Sequence, residues 1–97
     1  MQLIKIVKSE KPEKKYDAVF KDPRTGREHT TSFGDSSMED YTQHHDKVRR
    51  AAYRSRHAKD LLTHDPTRAG YLSYWILWGD STSVDKNIST YRRKFNL

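Results

Sequence analysis

Cysteine is missing from this 97-residue chain. Its absence excludes disulfides, iron–sulfur clusters and thiolate zinc sites, and it agrees with a reducing compartment. Long apolar runs are missing too. The longest, around Tyr74-Trp75-Ile76-Leu77-Trp78, falls far short of the ~18 residues that mark a membrane helix. No membrane insertion is therefore expected. The first residues, Met1-Gln2-Leu3-Ile4-Lys5, lack the apolar centre of a signal peptide. No Gly-rich phosphate loop and no Gly-x-Ser-x-Gly elbow occurs, which removes two common routes to catalysis. Internal repeats and low-complexity tracts are also absent. Aliphatic side chains are scarce, and the mean hydropathy is −1.08.

What is present is charge and aromatic surface. Lys and Arg number 19 against 13 Asp and Glu, a formal net charge of +6. Residues 1–45 are balanced, with eight basic and eight acidic side chains. Residues 46–60 hold Lys47, Arg49, Arg50, Arg54, Arg56 and Lys59 against two acids, a net +4. The positive field is thus concentrated on one short segment. A chain of this length makes one domain with a thin core. Phe20, Phe33, Phe95, Trp75 and Trp78 must then carry much of the burial, since each ring can cover about 150–250 Å².

The pattern predicts an α+β fold: one domain over 1–97, β-rich in 1–33 and helical in 46–97. Leu3–Val7 is β-prone. Tyr16, Ala18 and Phe20 alternate on one face of Lys15–Lys21. Asp22-Pro23-Arg24-Thr25-Gly26 has turn chemistry, and Arg27–Phe33 returns. About three antiparallel strands are expected. Three helices follow. Asp46 caps a first helix from Lys47 to about Leu61, with Val48, Ala51, Ala52 and Ser55 as its inner stripe. Asp65-Pro66 opens a second, with Pro at the first helical position, and Gly79 stops it. Ser83 caps a third, with Val84, Ile88, Tyr91 and Phe95 on its apolar side.

Three constellations bear on function. His44, His45, Asp46, His57 and His64 invite a metal or nuclease reading. No short zinc-site spacing is present, adjacent histidines rarely face one ion, and the carboxylates nearest His44 and His45 are only Asp40 and Asp46. A structural role outweighs both readings, so no catalytic residue, metal or cofactor is expected. Asp40, Tyr41, His44, Arg56 and His57 are instead expected to form a hydrogen-bonded network at the junction of sheet and first helix. The second constellation is the basic helix. Arg49, Arg50, Arg54, Arg56 and Lys59, with Arg92, Arg93 and Lys94 near the end of the chain, are candidates to bind phosphates or an acidic partner. The third is aromatic: Trp78 and Tyr53 are candidate interface residues.

The residues themselves do not decide between nucleic acid and protein, but their arrangement resembles a known group. Phe33-Gly34, Asp40-Tyr41-Thr42-Gln43-His44, Asp46, Arg49-Arg50, Tyr53 and Arg56-His57 form one string. Asp65-Pro66-Thr67, Ala69-Gly70, Leu72-Ser73, Trp75, Leu77-Trp78 and Tyr91-Arg92-Arg93-Lys94-Phe95 continue it. This string resembles an uncharacterised family of short basic proteins from nucleocytoplasmic large DNA viruses, from Phe33 onward. In that family the position of Asp46 is often followed by Pro, where this chain has Lys47. The resemblance lends a setting and no reaction. It implies a non-enzymatic virion protein, foremost a minor capsid or cement component bound to neighbouring viral capsid proteins. The alternative it leaves is a sequence-independent DNA- or RNA-binding protein acting through 47–59. It places the chain in the virion, and in the host cytoplasm or viral factory during assembly.

Overall fold

The computed structural model describes residues 1–97. Strands β1 (Gln2–Lys8), β2 (Lys14–Lys21) and β3 (Glu28–Asp35) form an antiparallel sheet in the order β1-β2-β3. Helical segments follow: α1 (Tyr41–His44), α2 (Lys47–His57), a 3-10 stretch (Ala58–Thr63), α3 (Ala69–Leu72) running into a π-helical turn (Ser73–Leu77), and α4 (Val84–Phe95). The fold class is α+β, as the switch from alternation to helical spacing anticipates.

The alternation of β2 sets the sheet's inner face. Phe20 pairs with Leu3 and His29, Ala18 with Ile6 and Thr31, and Tyr16 with Lys8 and Phe33. A bulge between Leu3 and Lys5 shifts the register of β1. The turn opens as its residue types require. Asp22 accepts the Arg24 N–H at 2.9 Å, its carbonyl accepts the Gly26 N–H, and Gly26 takes φ +74°, where glycine carries no Cβ penalty. Helices cover the inner face. The buried cluster joins Leu3, Ala18, Phe20 and Phe33 to Tyr71, Leu72, Ile76, Leu77, Trp78 and Tyr91. Aromatic rings do supply much of the interior. Tyr71 and Tyr91, though buried, donate their hydroxyls to the carbonyls of Leu61 and Pro66, as buried phenols require.

Three helical expectations need correction. The second helix does not open at Asp65-Pro66 but at Ala69. Asp65 instead closes a turn, its carboxylate accepting from the Thr67 N–H and hydroxyl and its carbonyl from the Arg68 N–H. Those hydrogen bonds hold its carboxyl below the usual range. The Pro66 and Thr67 carbonyls are taken by Tyr91 and Thr31. They are committed to tertiary partners, and Arg68 stays extended. The first helix stops at His57 rather than Leu61 and tightens into the 3-10 stretch. The expected inner stripe of α2 points the other way: Val48 is 79% exposed, and Ala51, Ala52 and Ser55 are exposed with it. The inward positions are Arg50, Tyr53, Arg54 and His57, which share one face by the same helical spacing.

A short helix that the pattern did not reveal, α1, sits at the junction. Asp40 accepts the Thr42 N–H at 2.9 Å, and Gln43 Oε1 accepts the Asp40 N–H at 3.0 Å. This reciprocal box satisfies backbone donors that would otherwise be orphaned. His45 and His64 end α1 and the 3-10 stretch in the left-handed region, at φ 58° and 53°.

A buried junction and a two-faced basic helix

Asp40 is 3% exposed. Its carboxylate meets Lys15 Nζ at 2.6 Å, and Lys15 also donates to Gln43 Oε1 at 2.7 Å. The charge on Asp40 is therefore paired and fully hydrogen-bonded, as a buried carboxylate must be. Tyr41 is buried beside it, with the Arg50 guanidinium 5.5 Å above its ring. His44 Nδ1 accepts the Asp46 N–H at 2.9 Å, which assigns the ring proton to Nε2. The His44 ring lies 5.3 Å from Trp78.

From Trp78 the contacts pass into α2. Tyr53 stacks on Trp78 at 4.1 Å and 5°, and on His57 at 4.1 Å and 22°. Its phenol pKa is raised, chiefly by burial. His57 Nδ1 lies 2.9 Å from Asp60 Oδ2. Arg50 donates Nε to the Gly79 carbonyl and Nη2 to Asp80, both at 2.7 Å. Arg54 lies over the rings of Tyr74 and Trp75, at 4.5 and 5.1 Å. The inner face of α2 is thus a set of cations and rings that tie the helix to the π-helical turn and the residues after it. Cation–π contacts of this kind contribute roughly 0.5–2 kcal/mol each.

The candidate residues separate accordingly. The expected hydrogen-bonded network does not form: no side-chain hydrogen bond joins any two of Asp40, Tyr41, His44, Arg56 and His57, because their polar atoms are taken by Lys15, Thr42, the Asp46 N–H and Asp60. Asp40, Tyr41 and His44 do share the junction, and His57 reaches them only by ring contact through Tyr53 and Trp78. Arg56 is exposed and has no hydrogen bond to any of them. Arg50 holds the position expected of it, and Lys15, from β2, supplies the charge partner. Trp78 is 6% exposed and belongs to the core. It is no surface anchor, because Tyr53 and His44 cover its ring. Tyr53 is half-buried in the same stack. Of the proposed cationic contacts, Arg50 and Arg54 are turned inward. Arg92 donates to the Leu3 and Ile4 carbonyls of β1, and Lys94 sits 4.5 Å over the Trp75 ring. Arg49, Arg56, Lys59 and Arg93 are exposed and unpaired, as is Lys47. No three His, Asp or Glu side chains converge as a metal site would require.

Sequence spacing could have suggested the Asp40-x-x-Gln43 box. It carries no signal for Lys15, Asp80 or the Tyr74–Trp75 platform, which lie far from α2 along the chain.

Charge reversal separates the two faces. Arg50→Glu with Arg54→Glu would set two carboxylates beside Asp80 and against aromatic rings. A loss of about 2–3 kcal/mol is expected from the lost pairs, the lost ring contacts and the new repulsion. Arg49→Glu with Arg56→Glu, both on the exposed face, should stay within about 0.5 kcal/mol of the parent. Urea denaturation of the two double variants checks the difference. Equal losses would contradict the assignment of faces.

These observations define a small α+β domain whose basic helix is anchored by one face and open on the other. No helix is long and apolar enough to cross a membrane. A family described as "Family of unknown function (DUF5754)" matches residues 4–57, and the chain belongs to that family. The matched span runs from β1 to the last residue of α2. No curated protein and no solved structure matches the chain.

Proposed function

We propose that the chain is a non-enzymatic structural protein of the virion of a large DNA virus. In this reading it is a minor capsid or cement component that binds neighbouring shell proteins. The viral setting rests on the string of residues from Phe33 onward described above. The observation that carries the binding role is the composition of the open face of α2. Its cations stand beside exposed Val48, Ala51 and Ala52, whereas a helix specialised for phosphates would be expected to present Arg50 and Arg54 as well. An apolar centre with a polar rim is the usual make-up of a protein contact. Proteomics of purified virions, with shell and genome-containing fractions separated, tests this. Recovery in the shell fraction is expected. Absence from virions, or recovery with the genome alone, would overturn it.

Exposed, unpaired Arg49, Arg56, Lys47 and Lys59 favour a second reading, in which the same helix binds DNA or RNA without sequence preference. Affinity for duplex DNA would then fall steeply with salt, with a log–log slope near −0.9 per phosphate contact. Tight binding at about 0.15 M salt, where screening reaches only ~8 Å, lost in Arg49→Glu with Arg56→Glu, would favour it over the shell role.

A further inference from the structure

The open face of α2 has a definite order. Val48, Ala51, Ala52 and Ser55 recur at i, i+3, i+4 and i+7 and are all exposed. Val48 is 79% exposed and is the largest apolar side chain of this row. Arg49 and Arg56, seven residues apart, run down one flank of this seam. Lys59 stands at its foot.

The charges of the face have no partner within the molecule. The segment's two acids are engaged elsewhere: Asp46 caps α2 through the Val48 and Arg49 N–H groups, and Asp60 holds His57. The seam is therefore apolar at its centre, positive along its border, and uncompensated. A second copy does not complement it, because a two-fold contact through this face would oppose Arg49 and Arg56 to the same cations. A phosphate backbone would satisfy the cations but would gain nothing from Val48 and the alanines, since phosphate contacts are made by cationic and polar donors.

We infer that the open face of α2 docks a partner α-helix whose apolar stripe is flanked by Asp or Glu. The small side chains of Ala51, Ala52 and Ser55 leave room for larger ones from the partner, and let two helix axes approach within the usual 8–10 Å. Apolar positions at helical spacing are how such a partner is read. The opposed charges would orient it and speed the encounter. This rests on the shell-protein reading above and specifies the partner's chemistry. Its test needs no virion, so the two stand or fall separately.

The probes are three synthetic helical peptides of equal length with one apolar stripe of leucines, flanked by Glu, Gln or Lys, and a duplex DNA of about 20 base pairs. Each is titrated into the isotope-labelled full chain at about 0.15 M salt and followed by NMR. The Glu-flanked peptide is expected to bind at least about tenfold more tightly than the Gln-flanked one, equivalent to about 1.4 kcal/mol, and the Lys-flanked one not at all. Shift changes should centre on Val48, Ala51, Ala52 and Ser55. Ala51→Gln keeps the charge and the helix propensity but fills the seam, and should weaken the Glu peptide about tenfold while leaving DNA affinity unchanged. Thr90→Gln, on the exposed side of α4, should change neither. The inference fails if the Glu peptide does not bind, if it binds no better than the Lys peptide, or if Ala51→Gln leaves its affinity intact. It fails equally if DNA binds more tightly than any peptide. A peptide result as expected, with the protein absent from virions, would remove the shell role and leave the docking face.

Discussion

Asp40→Ala is expected to lower the stability of the fold by about 3 kcal/mol or more. The figure follows from what remains behind: removing one partner of a buried ion pair typically costs ~3–5 kcal/mol, because the other charge stays desolvated. Here the remaining charge is the Lys15 ammonium, whose side chain is 13% exposed. Gln43 Oε1, at 2.7 Å, is the acceptor it keeps. The substitution also frees the Thr42 N–H and hydroxyl, and loss of a helix cap alone costs about 1 kcal/mol. Against the 5–15 kcal/mol that holds an ordinary domain together, this is a large fraction. Lys15→Met tests the account further, because it leaves Asp40 capped but unpaired. The double variant should lose clearly less than the two single losses combined, as coupled neighbours do. Chemical denaturation of the four proteins measures the cycle. Simple additivity would mean that Lys15 and Asp40 do not depend on each other.

The sites of these effects differ in how far the sequence reveals them. The sheet is legible because its signal is local. Tyr16, Ala18 and Phe20 alternate, and Asp22-Pro23 with Gly26 can do little but turn. Helix α4 is legible for the same reason, with Ser83 capping through the Lys86 N–H and Tyr91 buried on its apolar side. Helix α2 misleads because its inward residues are Arg50, Tyr53, Arg54 and His57. A hydropathy scale assigns those side chains to water, and they are turned inward and half-buried here because Gly79, Asp80, Tyr74, Trp75 and Trp78 receive them. The alanines and Val48, which the same scale sends inside, are left facing out. The start of α3 misleads in a related way. Asp65-Pro66 is a sound helix opening, but Tyr91 and Thr31 hold the carbonyls of Pro66 and Thr67. In each case the deciding partner lies tens of residues away along the chain. The candidate site inherits the difficulty. The basic character of 46–60 is plain in the composition, while the division into an anchored face and an open one depends on tertiary contacts.

Gly79→Ala is expected to be the most damaging single-methyl change in the molecule. Gly79 is a natural stop signal after a helix, yet it has no positive φ, unlike Gly26 and Gly34. Its role is close approach. A Cβ at this position would fall 2.2 Å from the Trp75 carbonyl oxygen and 3.0 Å from the Asn87 side chain. Neither neighbour can yield cheaply. The Trp75 carbonyl belongs to the π-helical turn. Asn87 is fixed by three hydrogen bonds, donating to the Ile76 and Ser81 carbonyls and accepting the Ser81 N–H. The Gly79 carbonyl in turn accepts from Arg50 at 2.7 Å, so any shift also loosens α2. Overpacking a well-filled site costs about 1–3 kcal/mol where side chains can adjust. With backbone as the obstacle, a loss of about 3 kcal/mol or more is expected. Gly26→Ala provides the comparison, since nothing lies within 4 Å of its added methyl and only φ +74° opposes it. That change should cost about 1–2 kcal/mol, the penalty for a non-glycine residue in the left-handed region. If denaturation midpoints place Gly26→Ala below Gly79→Ala, the crossing of α2, the π-helical turn and α4 is not packed as described.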